Sequence, residues 1–396
     1  MTFKKLNRNL LLSLILSLYL FFGGIFLSFP GNAFCFSFAV MSDPHSASDS
    51  WVNALTEARD IKINPEPTYS HAEFILVTGD TNPIDLRYED YNTVFKGSDI
   101  RPVYLSVTGN HEADDSGGFP GGMGGMGQGM QLQGQGGQSG MGMPQGAGGP
   151  PGQGGQPNAG GAQSGAGQRP DGGVVQMPGG PSGMYPDTGD AAIIDMEFIR
   201  DKVIAAIPGA VRMSDKSCTY YYDHENVRVI SVDGYSGEAG SGGIINDKGR
   251  KWTEDAIKSA PTTIEHIFIA FHAPAFPRGR HTYDSFNSNT EQRNAFWNML
   301  ISHRDKVRAV FSGHTHVYCR MRVLDPAGTA ANDYNAYPDE EGGIYQVVVG
   351  STGNGIKNTF LRVEVDGKNV YFRSYEAENG KDQPFAVKEE WRIINK

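Results

Sequence analysis

The chain has 396 residues, a formal net charge of −10 and a hydrophobic fraction of 39%. That length allows one large domain or two ordinary ones, and the acidic balance argues against long nucleic acid as a main substrate, because an acidic surface repels polyanions. Three cysteines, Cys35, Cys218 and Cys319, are too few and too scattered for a disulfide framework or a thiolate metal site, and suffice for one bridge at most.

At the N-terminus, Lys4, Lys5 and Arg8 precede an apolar run from Leu10 to Phe29 that small residues end at Gly31 and Ala33. Residues 1–33 therefore read as a signal peptide cleaved after Ala33, with an uncleaved membrane anchor as the alternative. Either way the positive charges stay inside and the rest of the chain, 34–396, is expected outside the cytoplasm, secreted or periplasmic. Membrane contact is expected only in the anchored case. Loss of those three cations takes the formal charge from −10 to −13.

Past the leader, FSFAVM (Phe36 to Met41), FILVTG (Phe74 to Gly79) and VYLSVTG (Val103 to Gly109) are rich in β-branched and aromatic residues and predict buried strands. From 117 to 184 the chain is mostly Gly with Gln, Met, Pro and Ser, a composition too poor in apolar groups to offset its ordering entropy, so a disordered insertion is expected. It reads as a flexible tether, with a mobile lid or partner-binding segment as the alternative. Beyond it, helices are predicted at Met196 to Gly209, Lys251 to Ala260 and Thr290 to His303. Strands are predicted at Asn226 to Gly234, His266 to Pro274, Val307 to Gly313, Tyr345 to Gly350, Phe360 to Gly367 and Asn369 to Tyr375. The alternation implies one α/β domain with helices covering a sheet.

Five short clusters follow predicted strands, where α/β folds place their ligand-binding loops. They are Asp43 and His45 in SDPH, Asp80 in TGD, Asn110 and His111 in TGNHE, His272 in FHAP, and His314 with His316 in SGHTH. Singly, an Asp after a strand is usually a turn residue and a lone His a structural one; jointly, carboxylates, imidazoles and an amide without thiolates suit Mn, Fe or Zn better than an all-oxygen Ca or Mg cage. Two such cations with a shared carboxylate at Asp80 would acidify a bridging water to a hydroxide nucleophile and clamp the attacking and leaving oxygens of an in-line displacement.

The ordered set Asp-x-His, Gly-Asp, Gly-Asn-His-Glu, a single His after a strand and Gly-His-x-His resembles the calcineurin-like metallophosphoesterase superfamily between about Asp43 and His316. The resemblance implies a four-layer α/β/β/α sandwich with two divalent metal ions at the strand ends, Mn, Fe or Zn, with Mg as a further option. By motif, Asp43, His45, Asp80 and His316 would hold one ion and Asp80, Asn110, His272 and His314 the other. His111 would bind the substrate phosphate or protonate the leaving oxygen, and Asn110 would also face substrate. Thr81, Asn82 and Pro83 follow Asp80, so the tyrosine of purple acid phosphatases and the Asp-Arg-Gly of protein phosphatases are both absent. HAPAFPRGRH (His272 to His281) resembles a variant of secreted or membrane-facing members, in which Arg278, Arg280 and His281 could meet substrate phosphate; a solvated loop is the alternative. The expected activity is hydrolysis of a small phosphoester, as a phosphatase or phosphodiesterase. The alternatives are a surface-displayed binding or adhesion protein that keeps the fold, and a hydrolase of phospholipid headgroups.

Overall fold

A computed structural model describes residues 35–60, 71–113, 195–329 and 342–394. The leader at 1–33 and the body of the Gly-rich insertion at 117–184 lie outside the described residues, as does Pro120–Pro186, the second of the chain's two compact units. The described residues all belong to the first unit.

In chain order this unit begins β1 (Cys35–Met41), α1 (Ser48–Asp60), β2 (Phe74–Val77), α2 (Ile84–Val94), β3 (Val103–Ser106) and α3 (Asn110–Ala113). It resumes with β4 (Val211–Arg212), β5 (Tyr220–His224), β6 (Val227–Ser231), β7 (Gly240–Ser241), β8 (Ile244–Ile245), α4 (Asp247–Lys258) and β9 (His266–Ala270). The last elements are α5 (Thr290–Ser302), β10 (Val307–Ser312), β11 (Cys319–Val323), β12 (Ile344–Val348), β13 (Asn358–Asp366), β14 (Asn369–Ala377) and β15 (Ala386–Ile393).

One six-stranded sheet runs β15-β14-β13-β1-β2-β3 and a seven-stranded sheet runs β11-β12-β10-β9-β6-β5-β4. Their layering follows from residue alternation, because successive strand side chains point to opposite faces. In β1, Phe36, Phe38 and Val40 face the core between the sheets, where Phe38 meets Phe268 at a 5.3 Å centroid distance. Ala39 and Met41 face the other way, onto Trp51 and Leu55 of α1 and Tyr91 of α2. Across the second sheet, Ile267, Ile269 and Val310 pack against Ile257 of α4 and Phe296, Trp297 and Leu300 of α5. Helix, sheet, sheet and helix therefore stack in four layers, as the resemblance implies.

The helix expected from Lys251 begins earlier, at Asp247, because the Asn246 side chain accepts from Gly249 N–H and caps it. The segment expected as a helix from Met196 is helical through Ala206: an α-helical start at 195–198 passes into a π turn, Ile199–Val203, and a 3-10 turn, Ile204–Ala206, which bury Ile199, Val203 and Ile204. The structure adds α1, α2, α3, β4, β5, β7, β8, β11 and β15 to the predicted elements. Charges hide β11 and β15: Arg320 and Arg322 alternate with buried residues, and β15 is half charged because it is a sheet edge. No disulfide joins any two of the three cysteines, and Cys35 Sγ donates to Asp366 Oδ1 at 3.0 Å. Burial pushes the thiols of Cys218 and Cys319 up to about 12 and about 11. Among the described residues no helix is long and apolar enough to cross a membrane.

Candidate metal centre

The parallel strands β1, β2 and β3 of one sheet and β9 and β10 of the other end at the same edge of the sandwich. Each is followed within a few residues by one of the five clusters, so chain positions as distant as 43 and 316 become neighbours. Short backbone bonds tie these loops together. Asp43 N–H donates to Gly79 O at 3.1 Å, His45 N–H to Asp80 O at 3.1 Å, and Gly313 N–H to His272 O at 3.0 Å.

The carboxylates add a second set of ties. Asp43 accepts from His314 N–H at 3.0 and 3.1 Å and from the Ser42 hydroxyl, while Asp80 Oδ1 accepts from His111 N–H at 3.0 Å. Such close approach requires missing side chains: a Cβ at Gly109 would collide with Asp80 and one at Gly313 with Ser42 and Asp43. Asp43, His45, Asp80, His314 and His316 all have positive φ, between 45° and 70°. That region is costly for residues with a Cβ, and its recurrence at five of the motif positions marks backbone held to aim side chains.

The side chains converge as two sets that share Asp80. Single donor atoms of Asp43, His45, Asp80 and His316 lie within 4.8 Å of one another, and so do those of Asp80, His272 and His314. All six residues are buried. Half-buried Asn110 joins the second set, its Oδ1 lying 3.1 Å from His272 Nε2 and 2.9 Å from His314 Nδ1. A third set, His281, Asp284 and His314, meets the same criterion at the rim.

Hydrogen bonds fix which imidazole nitrogen faces inward. His272 Nδ1–H donates to Thr78 O at 2.7 Å, His316 Nδ1–H to Asn354 O at 3.0 Å, and His45 Nδ1–H to Asn82 Oδ1 at 3.2 Å. Each leaves Nε2 as the inward atom, the arrangement that orients a metal-ligating histidine. His45 Nε2 and His316 Nε2 then stand 3.2 Å apart, and His272 Nε2 stands 3.2 Å from His314 Nδ1. Lone pairs aimed at one another at that distance repel unless a cation or proton lies at their focus, so the donor set fits divalent cations.

The electrostatics of the cation-free site agree. Burial alone would raise the pKa of Asp80, yet the surrounding imidazoles, His272 first, hold it well below the usual carboxylate range. Burial would likewise lower that of His272, but the Asp80 carboxylate at 3.2 Å raises it to about 10. His45 and His314 are pushed down, chiefly by burial. A cation bound here takes the place of the His272 proton.

His111 stands apart from the donors: it is exposed, with its ring edge-on to His45 at a 4.8 Å centroid distance. His281 reaches the cluster from the HAPAFPRGRH loop, its ring 4.5 Å from that of His314 and its Nδ1–H donating to Asp284 Oδ2 at 2.7 Å. Arg278 is half-buried and near enough to Cys319 for its charge to act on that thiol, and Arg280 is exposed.

Three residues that sequence reasoning passed over also belong to the site. Glu112, fully buried, accepts from Gly109 N–H at 2.6 Å, Asp80 N–H at 3.0 Å and Thr81 N–H, tying two motif loops together. Burial, reinforced by the nearby Asp80 charge, pushes its pKa up to about 8. Asn82 orients His45, and Asp284 braces His281 while its Oδ1 lies 3.6 Å from His314 Nε2. Glu112 adjoins His111 in TGNHE, but nothing in that run discloses that its carboxylate is buried.

No family model and no curated protein matches the sequence. Among solved structures, a purple acid phosphatase from yellow lupin (Lupinus luteus) seeds is similar over 92% of this chain and 55% of that one, with 12% identity and a TM-score of 0.50. The structure of PhoD covers 92% of this chain and 70% of that one at 10% identity and a TM-score of 0.48. A metallophosphoesterase from Sphaerobacter thermophilus covers 85% and 87% at 11% identity and a TM-score of 0.32. This chain thus spans about half the length of the lupin phosphatase, and the likeness to it is one of fold.

Proposed function

We propose that this chain, which has the calcineurin-like metallophosphoesterase fold, is a secreted or periplasmic metal-dependent hydrolase of small phosphoesters. The observation that carries the reading is Asp80, a buried carboxylate common to two sets of inward-facing donors. Asp43, His45, Asp80 and His316 would hold one divalent ion, and Asp80, Asn110, His272 and His314 a second, with Mn, Fe or Zn suiting the mix of imidazole and carboxylate. When bound, the pair supplies positive charge for the phosphoryl oxygens and acidifies an attacking water.

The protein's own residues do the rest. Asp43 and Asp80, braced by the backbone of His314 and His111, fix the relative positions of the loops before substrate arrives. Asn110 Oδ1 joins the inward donors, while exposed His111, next along the chain, can donate a proton to the departing oxygen. His281, held by Asp284, would hydrogen-bond a substrate oxygen, and Arg278 and Arg280 on the same loop would add positive charge there. Asn82 pairs with His45 in the stretch where a purple acid phosphatase would carry its tyrosine metal ligand, so the donor set here lacks that ligand and leaves the ester class open. The basic, apolar, small-residue order of residues 1–33 supports export.

Hydrolysis of chromogenic phosphate monoesters and diesters by metal-stripped protein, with Mn, Fe, Zn or Mg returned singly, tests the reading. Activity restored by an ion and abolished in Asp80→Ala is the expected result. Stoichiometric metal binding without hydrolysis of any ester would turn the reading toward a binding protein, and preference for phospholipid vesicles toward a headgroup hydrolase.

A further inference from the structure

A cavity of about 720 Å³ opens at the end of the second sheet opposite the metal centre. Arg308 lies near the start of β10 and His314 just past its end; six residues of strand place the two roughly 20 Å apart. The cavity is lined by five cations, Arg304, Lys306, Arg308, Arg322 and Lys368, against the carboxylates of Glu265 and Asp305. The chain as a whole carries −10, so this positive concentration runs against its composition.

Arg308 is the informative member. Its guanidinium belongs to a residue only 8% exposed, and no carboxylate among the described residues forms an ion pair with it. Nε–H donates to His266 Nδ1 at 2.9 Å and Nη2–H to Glu265 O at 3.1 Å, which leaves Nη1 without a hydrogen-bond partner among the described residues. A buried cation held only by neutral acceptors is costly, and burial draws its pKa below the ordinary guanidinium value. Arg304 and Lys306, on the turn before β10, likewise have no ion-pair partner among the described residues. Ile264, Val307 and Tyr345 give the cavity an apolar wall, and its volume lies in the usual range for sites that hold a small organic molecule.

We infer that this cavity is a second ligand site, remote from the metal centre, that binds a small molecule through a phosphate group held by Arg308, Lys306 and Arg304. The planar donor fork of Arg308 forms the floor, and the two turn residues close over the outer oxygens. This inference stands whether or not the metal centre hydrolyses phosphoesters.

The test is calorimetric titration of inorganic phosphate into the full-length chain stripped of metal, so that no cation at the other site competes. One phosphate per chain is expected, with affinity reduced about tenfold or more in Arg308→Gln and in the double variant Arg304→Gln/Lys306→Gln, and unchanged in His111→Ala. Should Arg308→Gln fail to fold, the double variant, altered only on an accessible turn, decides the matter. Phosphate that does not bind wild type, binds the double variant equally well, or is lost in His111→Ala overturns the inference.

Discussion

His45 and His316, 271 positions apart in the chain, bring their Nε2 atoms to 3.2 Å, each with Nδ1–H tied to an oxygen on the far side of its ring. Neither imidazole can turn its lone pair away without giving up that bond. The two loops are therefore set for a shared cation, and the residues that set them are as open to test as the donors.

The first test separates donors from proton source. Asp80→Ala removes the carboxylate common to both sets, so metal content and hydrolysis should both collapse. His111→Ala should retain metal and lose roughly 10²–10⁴-fold in kcat, the usual contribution of a positioned general acid. Elemental analysis beside turnover distinguishes them; equal metal loss in both variants would contradict the role given to His111.

Asn82→Ala leaves every donor in place but frees His45 Nδ1. Metal affinity, read by competition with a chromogenic chelator, should fall about 10–100-fold, the typical cost of losing such an orienting partner. Asn82→Asp, which keeps the acceptor oxygen, should restore most of it.

Above a pH of about 8, Glu112→Gln puts an amide NH₂ where an ionised carboxylate receives three backbone N–H groups. At least one donor then meets a donor inside the protein, at a cost of about 1–3 kcal/mol. Chemical denaturation should show that loss, and metal affinity should fall with it, because the bonds being broken hold the Asp80 and Asn110 loops together.

His266 supplies a pH dependence independent of the metal centre. Its Nδ1 accepts from Arg308 Nε–H and its Nε2–H donates to Gly367 O, so protonation would set N–H against N–H; burial, with the Arg308 charge, pulls the pKa down from 6.5 to about 4. Because the folded value lies below the unfolded one, its contribution is complete above pH 6.5 and is lost as pH falls from 6.5 toward 4. The loss should reach roughly 3 kcal/mol. Denaturant midpoints across that window should fall less steeply in His266→Gln than in wild type; parallel curves would show that His266 is not the cause.

The sequence by itself determined the layered α/β architecture and which residues the strand ends present. Residue alternation in runs such as Phe36 to Met41 and the punctuation by Gly, Asp and His at the end of each run are local properties, legible without coordinates. It determined less about charged elements: β15 carries its Lys, Glu and Arg at an exposed sheet edge, where polarity conceals a strand. Tertiary structure alone decided what each polar side chain faces. Glu112 and His111 are adjacent in the chain, yet one is buried under three backbone N–H groups and the other exposed to solvent, because the short helix α3 turns them to opposite sides. Asn82 and Asp284 likewise gain their positions from partners 37 and 30 residues away, and Arg308 its cavity from strands of the second sheet and the Lys368 turn. Burial and hydrogen bonding are non-local quantities, set only when distant segments pack, and in this protein they decide which carboxylates shape the metal loops and which cations stand unpaired.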